Sequence, residues 1–163
     1  MKLILVGNGK QHSKNGKIID SFDKVVRFND FKIKGYEDYV GYRTDIVVGV
    51  KKKDLSIYDN VELIFIPTLI RNHVFDKKIQ HKIKYIDIDL LNDILQEYKF
   101  PTSGYRAVLH FLSIGYDVTI IGFDGLKSGH YFDNDQMWDK HDGDYEMNEF
   151  RKLEAENKLT IID

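Results

Sequence analysis

Short continuous apolar runs, each closed by a glycine, a proline or a polar pair, recur along this chain. Most of the intervals between them carry apolar residues at helical spacing. Residues 2–7 open with Leu3, Ile4, Leu5 and Val6 before Gly7, the pattern of a strand buried on both faces of a parallel sheet. Residues 24–29, 45–50, 62–67 and 117–123 predict strands of the same kind. Residues 82–87 alternate, which predicts a strand with one exposed face, and residues 159–162 close or extend the sheet. Helices are expected at 54–58, 68–80, 90–98 and 145–156. Strands alternating with helices in this way predict an α/β domain over residues 1–163, with a mostly parallel, Rossmann-like sheet and helices on both faces.

One further helix is announced by its start. Pro101 biases Phe100 toward an extended backbone and closes the preceding segment. Thr102 or Ser103 can then act as N-cap, its side-chain oxygen accepting a bond from a first-turn amide, with Gly104 just inside. Ala107, Val108, Phe111 and Leu112 follow on one face. Free amides and the positive end of the helix dipole make such a start an anion seat as well as an ordinary cap.

Composition narrows the class. A chain of 163 residues is one domain's length, and a net charge of −2 gives no reason to expect a nucleic-acid partner. There is no cysteine, which excludes disulfides, thiolate metal sites and a cysteine nucleophile and suits a reducing compartment. No window reaches the roughly 18 apolar residues of a membrane span, and the run at Leu3–Val6 is too short for a signal-peptide core.

Candidate chemistry gathers at the strand ends. In a parallel sheet the loops at 7–10, 28–30 and 122–125 and the helix start at 102–104 can converge on one rim, where open α/β sheets bind ligands. The first loop, Gly7-Asn8-Gly9-Lys10, matches neither phosphate-binding fingerprint: His12 stands where a dinucleotide motif needs glycine, and Ile18 follows Gly16-Lys17 where a P-loop needs Ser or Thr. Asn8 and Asn29 can each donate and accept, as a pyrimidine, ribose or phosphate requires, although asparagines also simply stabilise turns. Residues 125–143 lack apolar periodicity but are rich in aromatic, acidic and histidine side chains, the mark of a functional loop. His141 is a candidate base, Glu146 a carboxylate that could hold its tautomer, and His130 a donor or cation for a leaving phosphate. The acids Asp133, Asp135, Asp139, Asp142 and Asp144 do not have the spacing of a calcium loop and are expected to be solvated. His12, His73, His81 and His110 have no such context and are expected to be structural or surface residues.

In order, these segments resemble the four sialyl-motifs of the sialyltransferases, glycosyltransferase family 29. Val6-Gly7-Asn8-Gly9, Ile19 through Asn29 and Tyr36 through Asp45 resemble the large motif. Lys99 through Leu112 with Gly115 through Asp124 resemble the small motif. His130-Tyr131-Phe132-Asp133 resembles the third motif, and His141 with Glu146 the very small motif. The resemblance implies a GT-A-variant fold and an inverting, metal-independent glycosyltransferase with no cofactor, the CMP-sugar being a substrate. It implies that Asn8 and Asn29, with Gly7 and Gly9, contact the nucleotide. It also implies that Thr102, Ser103 and Gly104 contact the donor's phosphate or carboxylate, that Gly122, Phe123 and Asp124 complete the donor site, and that His130 lies by the phosphate. His141 is then the base that deprotonates the acceptor hydroxyl, with Glu146 in support.

The resemblance has departures: animal members carry a disulfide between the large and small motifs, a membrane anchor and a stem, and the acceptor side of this chain is short. A cytoplasmic, microbial protein is therefore expected, with peripheral membrane association left open. The expected reaction moves a 2-keto sugar acid, sialic acid or Kdo, from a CMP donor to a glycan or lipid-linked oligosaccharide hydroxyl. Two other readings stand beside it: a non-catalytic CMP or CMP-sugar binding module, and a metal-dependent hydrolase using the acidic loop.

Overall fold

The computed structural model describes residues 1–49, 59, 61–66, 77–86, 88–98, 100–133 and 140–163; the side chains of 63–66, 88 and 91 lie outside that description. The strands are β1 (Lys2–Val6), β2 (Lys24–Phe28), β3 (Ile46–Val48), β4 (Leu63–Ile66), β5 (Ile83–Tyr85), β6 (Asp117–Ile121) and β7 (Leu159–Ile162). They form one sheet in the order β5-β4-β3-β2-β1-β6-β7, and every pairing is parallel. The helices are α1 (Gly16–Asp20), α2 (Glu37–Val40), α3 (Lys77–Gln80), α4 (Ile88–Glu97), α5 (Ser103–Ser113) and α6 (Gly143–Ala155).

The predicted strands all form, and the runs of β1, β2, β3 and β6 are apolar enough to be buried on both sides. Leu3, Ile4 and Leu5 are fully buried, as are Val25 and Val26. Alternate residues feed two cores. Leu3, Leu5, Val26, Phe28, Val118 and Ile120 pack with α4, α5 and α6 through Ile94, Tyr105, Val108, Phe111 and Phe150. Ile4, Val6, Val25 and Ile121 pack on the opposite face with Ile19 of α1 and Val40 of α2. Helices on both faces follow from that alternation. β5 lies at a sheet edge, and its neighbouring residues Lys84 and Tyr85, which point to opposite faces, are both exposed, so the single exposed face expected from its alternation is not what forms.

The helices at 90–98 and 145–156 are shifted by one or two residues from expectation. Of 68–80 only α3 is described, and 54–58 lies outside the described residues. The short helices α1 and α2 have no sequence expectation, since four or five residues do not display a 3.6-residue period. They are held instead by the motif between residues 19 and 45. Arg27, 1% exposed, donates through Nε to Thr44 Oγ1 at 2.9 Å and through Nη2 to the carbonyl oxygens of Val40 (2.7 Å) and Arg43 (2.8 Å). The Asp20 carboxylate accepts from the backbone amides of Tyr42 and Arg43, and Arg43 donates to Asp45 at 2.9 Å. Burial lowers the Arg27 pKa to about 10, so it stays charged at neutral pH. The polar residues of this longest motif therefore knit α1, α2, β2 and β3 together beneath the strand ends.

The order of strands locates the site. From β1 the chain runs outward through β2, β3, β4 and β5, then returns to place β6 on the other side of β1. That reversal separates the loops leaving β1 and β6 and opens a crevice at their carboxyl ends.

Candidate active site

The crevice is a cleft of about 170 Å³ at that reversal. All of Gly7, Asn8, Gly9, Asn29, Thr102, Ser103, Gly104, Gly122, Phe123, Asp124, His130, His141 and Glu146 line it. Phe28, Phe123 and Phe150 form its apolar floor, with Phe123 edge-on to both partners at centroid distances of 5.7 Å.

Backbone approach shapes the inner wall. The amide of Gly7 donates to Ile121 O at 2.8 Å and that of Gly9 to Gly122 O at 3.0 Å, carrying the β1–β6 ladder past the strand ends. A Cβ on Gly7 would lie 2.3 Å from Gly122 O, and one on Gly9 2.7 Å from it. Gly122 itself takes φ +71°. The glycines are thus required by two backbones in contact.

Asn8 Nδ2 spends both protons on the carbonyls of Phe28 (3.2 Å) and Asp30 (3.1 Å), clamping the β1 loop to the β2 loop. That leaves Oδ1, an acceptor, as the atom of this side chain not spent on the clamp. Asn29 takes φ +48° and packs its Oδ1 against the backbone of Gly49, where a Cβ would fall 2.2 Å away. Asp124 accepts from the amides of Leu126 and Ser128 at 3.0 Å each and from the Ser128 hydroxyl, so it shapes its own loop.

At the helix start, Thr102 is the N-cap and accepts from Tyr105 N at 3.0 Å. Its hydroxyl and amide both turn to Glu146, at 2.6 and 2.7 Å. Thr102 is thus committed to Glu146, and the amides of Ser103 and Gly104 are the first-turn donors without a partner among the described residues. Those two amides stand at the positive end of an 11-residue helix, where a negative charge is favoured.

Glu146 is 5% exposed. Burial pushes its carboxyl above the usual range, opposed by the two bonds from Thr102 and the nearby His141. A pKa raised in the folded state favours the folded chain at acid pH, and that contribution is lost as pH rises through the folded value. Glu146→Gln cannot titrate. The melting temperature of the wild type relative to this variant should therefore fall as pH rises from about 4 to about 7. Thermal unfolding of both proteins across that range checks it, and parallel curves would refute it.

His141 Nδ1 lies 2.6 Å from Phe100 O. A carbonyl only accepts, so the geometry assigns the proton to Nδ1 and leaves the Nε2 lone pair for the cleft. The tautomer is held by this carbonyl, whereas sequence reasoning looked to Glu146; Glu146 instead braces α5 against α6. Tyr98, the residue after α4, which sequence reasoning missed, accepts from Asp142 N at 2.6 Å, and burial raises its phenol to about 12. It fixes Asp142, the residue next to His141. His130 Nδ1 pairs with Asp133 at 3.1 Å and its ring stacks on Phe132.

The described acids of the loop each have local work. Asp133 pairs with His130, Asp142 caps α6 through Tyr145 N, and Asp144 pairs with Lys127. Asp135 and Asp139, like His73, lie outside the described residues. Among the described residues no group of three or more histidines and carboxylates is placed to hold a metal, and no helix is long and apolar enough to cross a membrane.

Comparison with known proteins points the same way. Residues 3–68 match the family model of glycosyltransferase family 29 (sialyltransferase). CMP-N-acetylneuraminate-beta-galactosamide-alpha-2,3-sialyltransferase 1 of Mus musculus is 26% identical over 198 residues, spanning 97% of this chain and 58% of the relative. The protein of that name from Homo sapiens is 24% identical over 194 residues, spanning 97% and 57%. The chain thus spans a little over half the length of these vertebrate relatives. Among solved structures, a mammalian sialyltransferase superposes with a TM-score of 0.71 at 22% identity, covering 99% of this chain and 68% of that one. Its complex with Gal-beta-1-3GalNAc-ortho-nitrophenol gives 0.72 with the same coverage. The matches bear out the sialyltransferase resemblance carried by the motifs, and the superposition bears out the mostly parallel α/β fold.

Proposed function

We propose that a chain whose motifs, fold and relatives are those of sialyltransferases is itself a CMP-sialic-acid-dependent glycosyltransferase, acting on a glycan hydroxyl with inversion and without a metal. The observation that carries the reading is His141: its Nδ1 is tied to Phe100 O and it lines the same cleft as the Ser103 and Gly104 amides. As the acceptor oxygen attacks the anomeric carbon, its proton passes to His141 Nε2. The bond from that carbon to the phosphate oxygen breaks, and CMP leaves with both electrons. The two helix-start amides and His130 stabilise the charge that develops on the phosphate. A single displacement inverts the anomeric centre.

Kdo remains an alternative sugar within the same chemistry, since it shares the 2-keto acid head. A polysaccharide or lipid-linked acceptor, peripheral membrane association and a cytoplasmic setting belong to the same proposal, the last supported by a sequence without cysteine.

Nucleotide selectivity tests the reading. CMP at about 100 times its Kd should add about 2.7 kcal/mol of stability, about 5–10 °C in melting temperature for a chain of this size. UMP, GMP and AMP should give much less, and EDTA should not change the CMP response. Equal responses to all four nucleotides would overturn the donor assignment.

A further inference from the structure

The cleft accounts for Gly7 to Gly9 and for His130, but not for the residues that follow each of them. Lys10, Gln11 and His12 carry the β1 loop away from the cleft. With Tyr36, Tyr39, Val40 and Tyr131 they line a second cavity of about 350 Å³ on the α1–α2 face of the sheet.

Its chemistry differs from that of the first. No carboxylate is among the lining residues, and its charged or chargeable groups are Lys10 and His12, both exposed. The acids of α2 are engaged elsewhere: Asp38 pairs with Lys14 at 2.8 Å, and Glu37 accepts from Gly35 N at 2.9 Å. Tyr36 and Tyr131 meet at 72° with centroids 5.1 Å apart, a corner rather than a slot between parallel faces. The Tyr131 hydroxyl is held by the backbone of Lys32, which fixes that ring. The hydroxyls of Tyr36 and Tyr39 carry no hydrogen bond among the described residues. Behind the wall, the Gln11 amide finds no protein partner for either its nitrogen or its oxygen, a costly state that rotation toward a ligand hydroxyl would relieve.

We propose that this cavity is a second carbohydrate subsite, for a pyranose bearing a carboxylate. Aromatic faces set at an angle suit the C–H faces of a sugar ring, and phenol hydroxyls and an amide suit its hydroxyls. Lys10 and His12 supply the complement to its acid group. A flat nucleobase would be better served by parallel rings. The choice of a sugar rests on the transferase reading above. The subsite is joined to the donor cleft by short links: Tyr131 N donates to Asn8 O at 2.8 Å, Lys10 N donates to Ser128 Oγ at 3.1 Å, and His130 precedes Tyr131 in the chain.

Calorimetric titration of the CMP-saturated protein with sialyllactose and with lactose tests the proposal. Sialyllactose should bind more tightly than lactose. Tyr39→Leu should weaken it about tenfold. Lys10→Gln, a change on an exposed side chain that leaves folding intact, should weaken sialyllactose about threefold and lactose not at all. CMP affinity should stay within about twofold in both variants. Absence of sialyllactose binding, or binding that ignores Lys10→Gln, would overturn the subsite. So would a second CMP per chain lost in these variants, which would mark a nucleotide site. Failure of CMP to bind the wild type would instead overturn the transferase reading, and is read in a separate titration of the free protein with CMP.

Discussion

Replacing His141 with alanine should lower kcat by about 10²–10⁴, the range that a positioned general base supplies. CMP affinity should be nearly unchanged. The effect is large because the nitrogen is pre-set: Phe100 O, 2.6 Å from Nδ1, holds one tautomer and one ring orientation before substrate arrives. The loss should therefore fall on kcat. Steady-state transfer assays with CMP-sialic acid, together with CMP titration, separate chemistry from binding. If CMP binds as before and transfer is undiminished, His141 is not the base. If the wild type binds CMP but transfers nothing to any glycan, the chain is a binding module.

The second large effect falls on folding. Gly7→Ala should cost about 3 kcal/mol, the upper range for overpacking a rigid contact, and lower the melting temperature by about 6–12 °C. The new methyl would stand 2.3 Å from Gly122 O and 2.9 Å from the Phe123 ring. The closest atom is backbone, so no rotamer change can relieve the clash; β1 and β6 must separate. That separation stretches the bond from Gly7 N to Ile121 O and dismantles the wall on which the nucleotide would lie. Gly104→Ala makes an informative contrast, since its methyl would meet the Phe123 side chain at 2.6 Å and rings can shift. Thermal melts and CMP titration of both variants should rank Gly7→Ala as the more damaging in stability. Equal melting temperatures would show that the β1–β6 contact is more yielding than its geometry implies.

Much of this protein was legible from its residues alone. The central strands β1, β2, β3 and β6 formed where continuous apolar runs ended in glycine or a polar residue, because burial on both faces needs only neighbours along the chain to be apolar. The start of α5 was equally local: Pro101 stops, Thr102 caps, and the apolar face follows within two turns. Motif order placed Asn8, Asn29, Ser103, Gly104, His130 and His141 in one site, and they line one cleft.

What sequence could not supply was the choice of partners between segments. Thr102 answers to Glu146, 44 positions away, and His141 to Phe100, 41 positions away. Asn8 spends its amide on carbonyls 20 and 22 positions on. Each pairing depends on where two backbones pass each other, and no local period encodes that. The same holds for β6 lying beside β1, which opens the crevice, and for Tyr36, Tyr39 and Tyr131 meeting Lys10 in a second cavity. Local physics determined the elements and which residue types stand at their ends. Tertiary packing decided which hydrogen-bonding atoms are already spent on the fold and which are left for chemistry, because only the folded backbone brings their partners within reach.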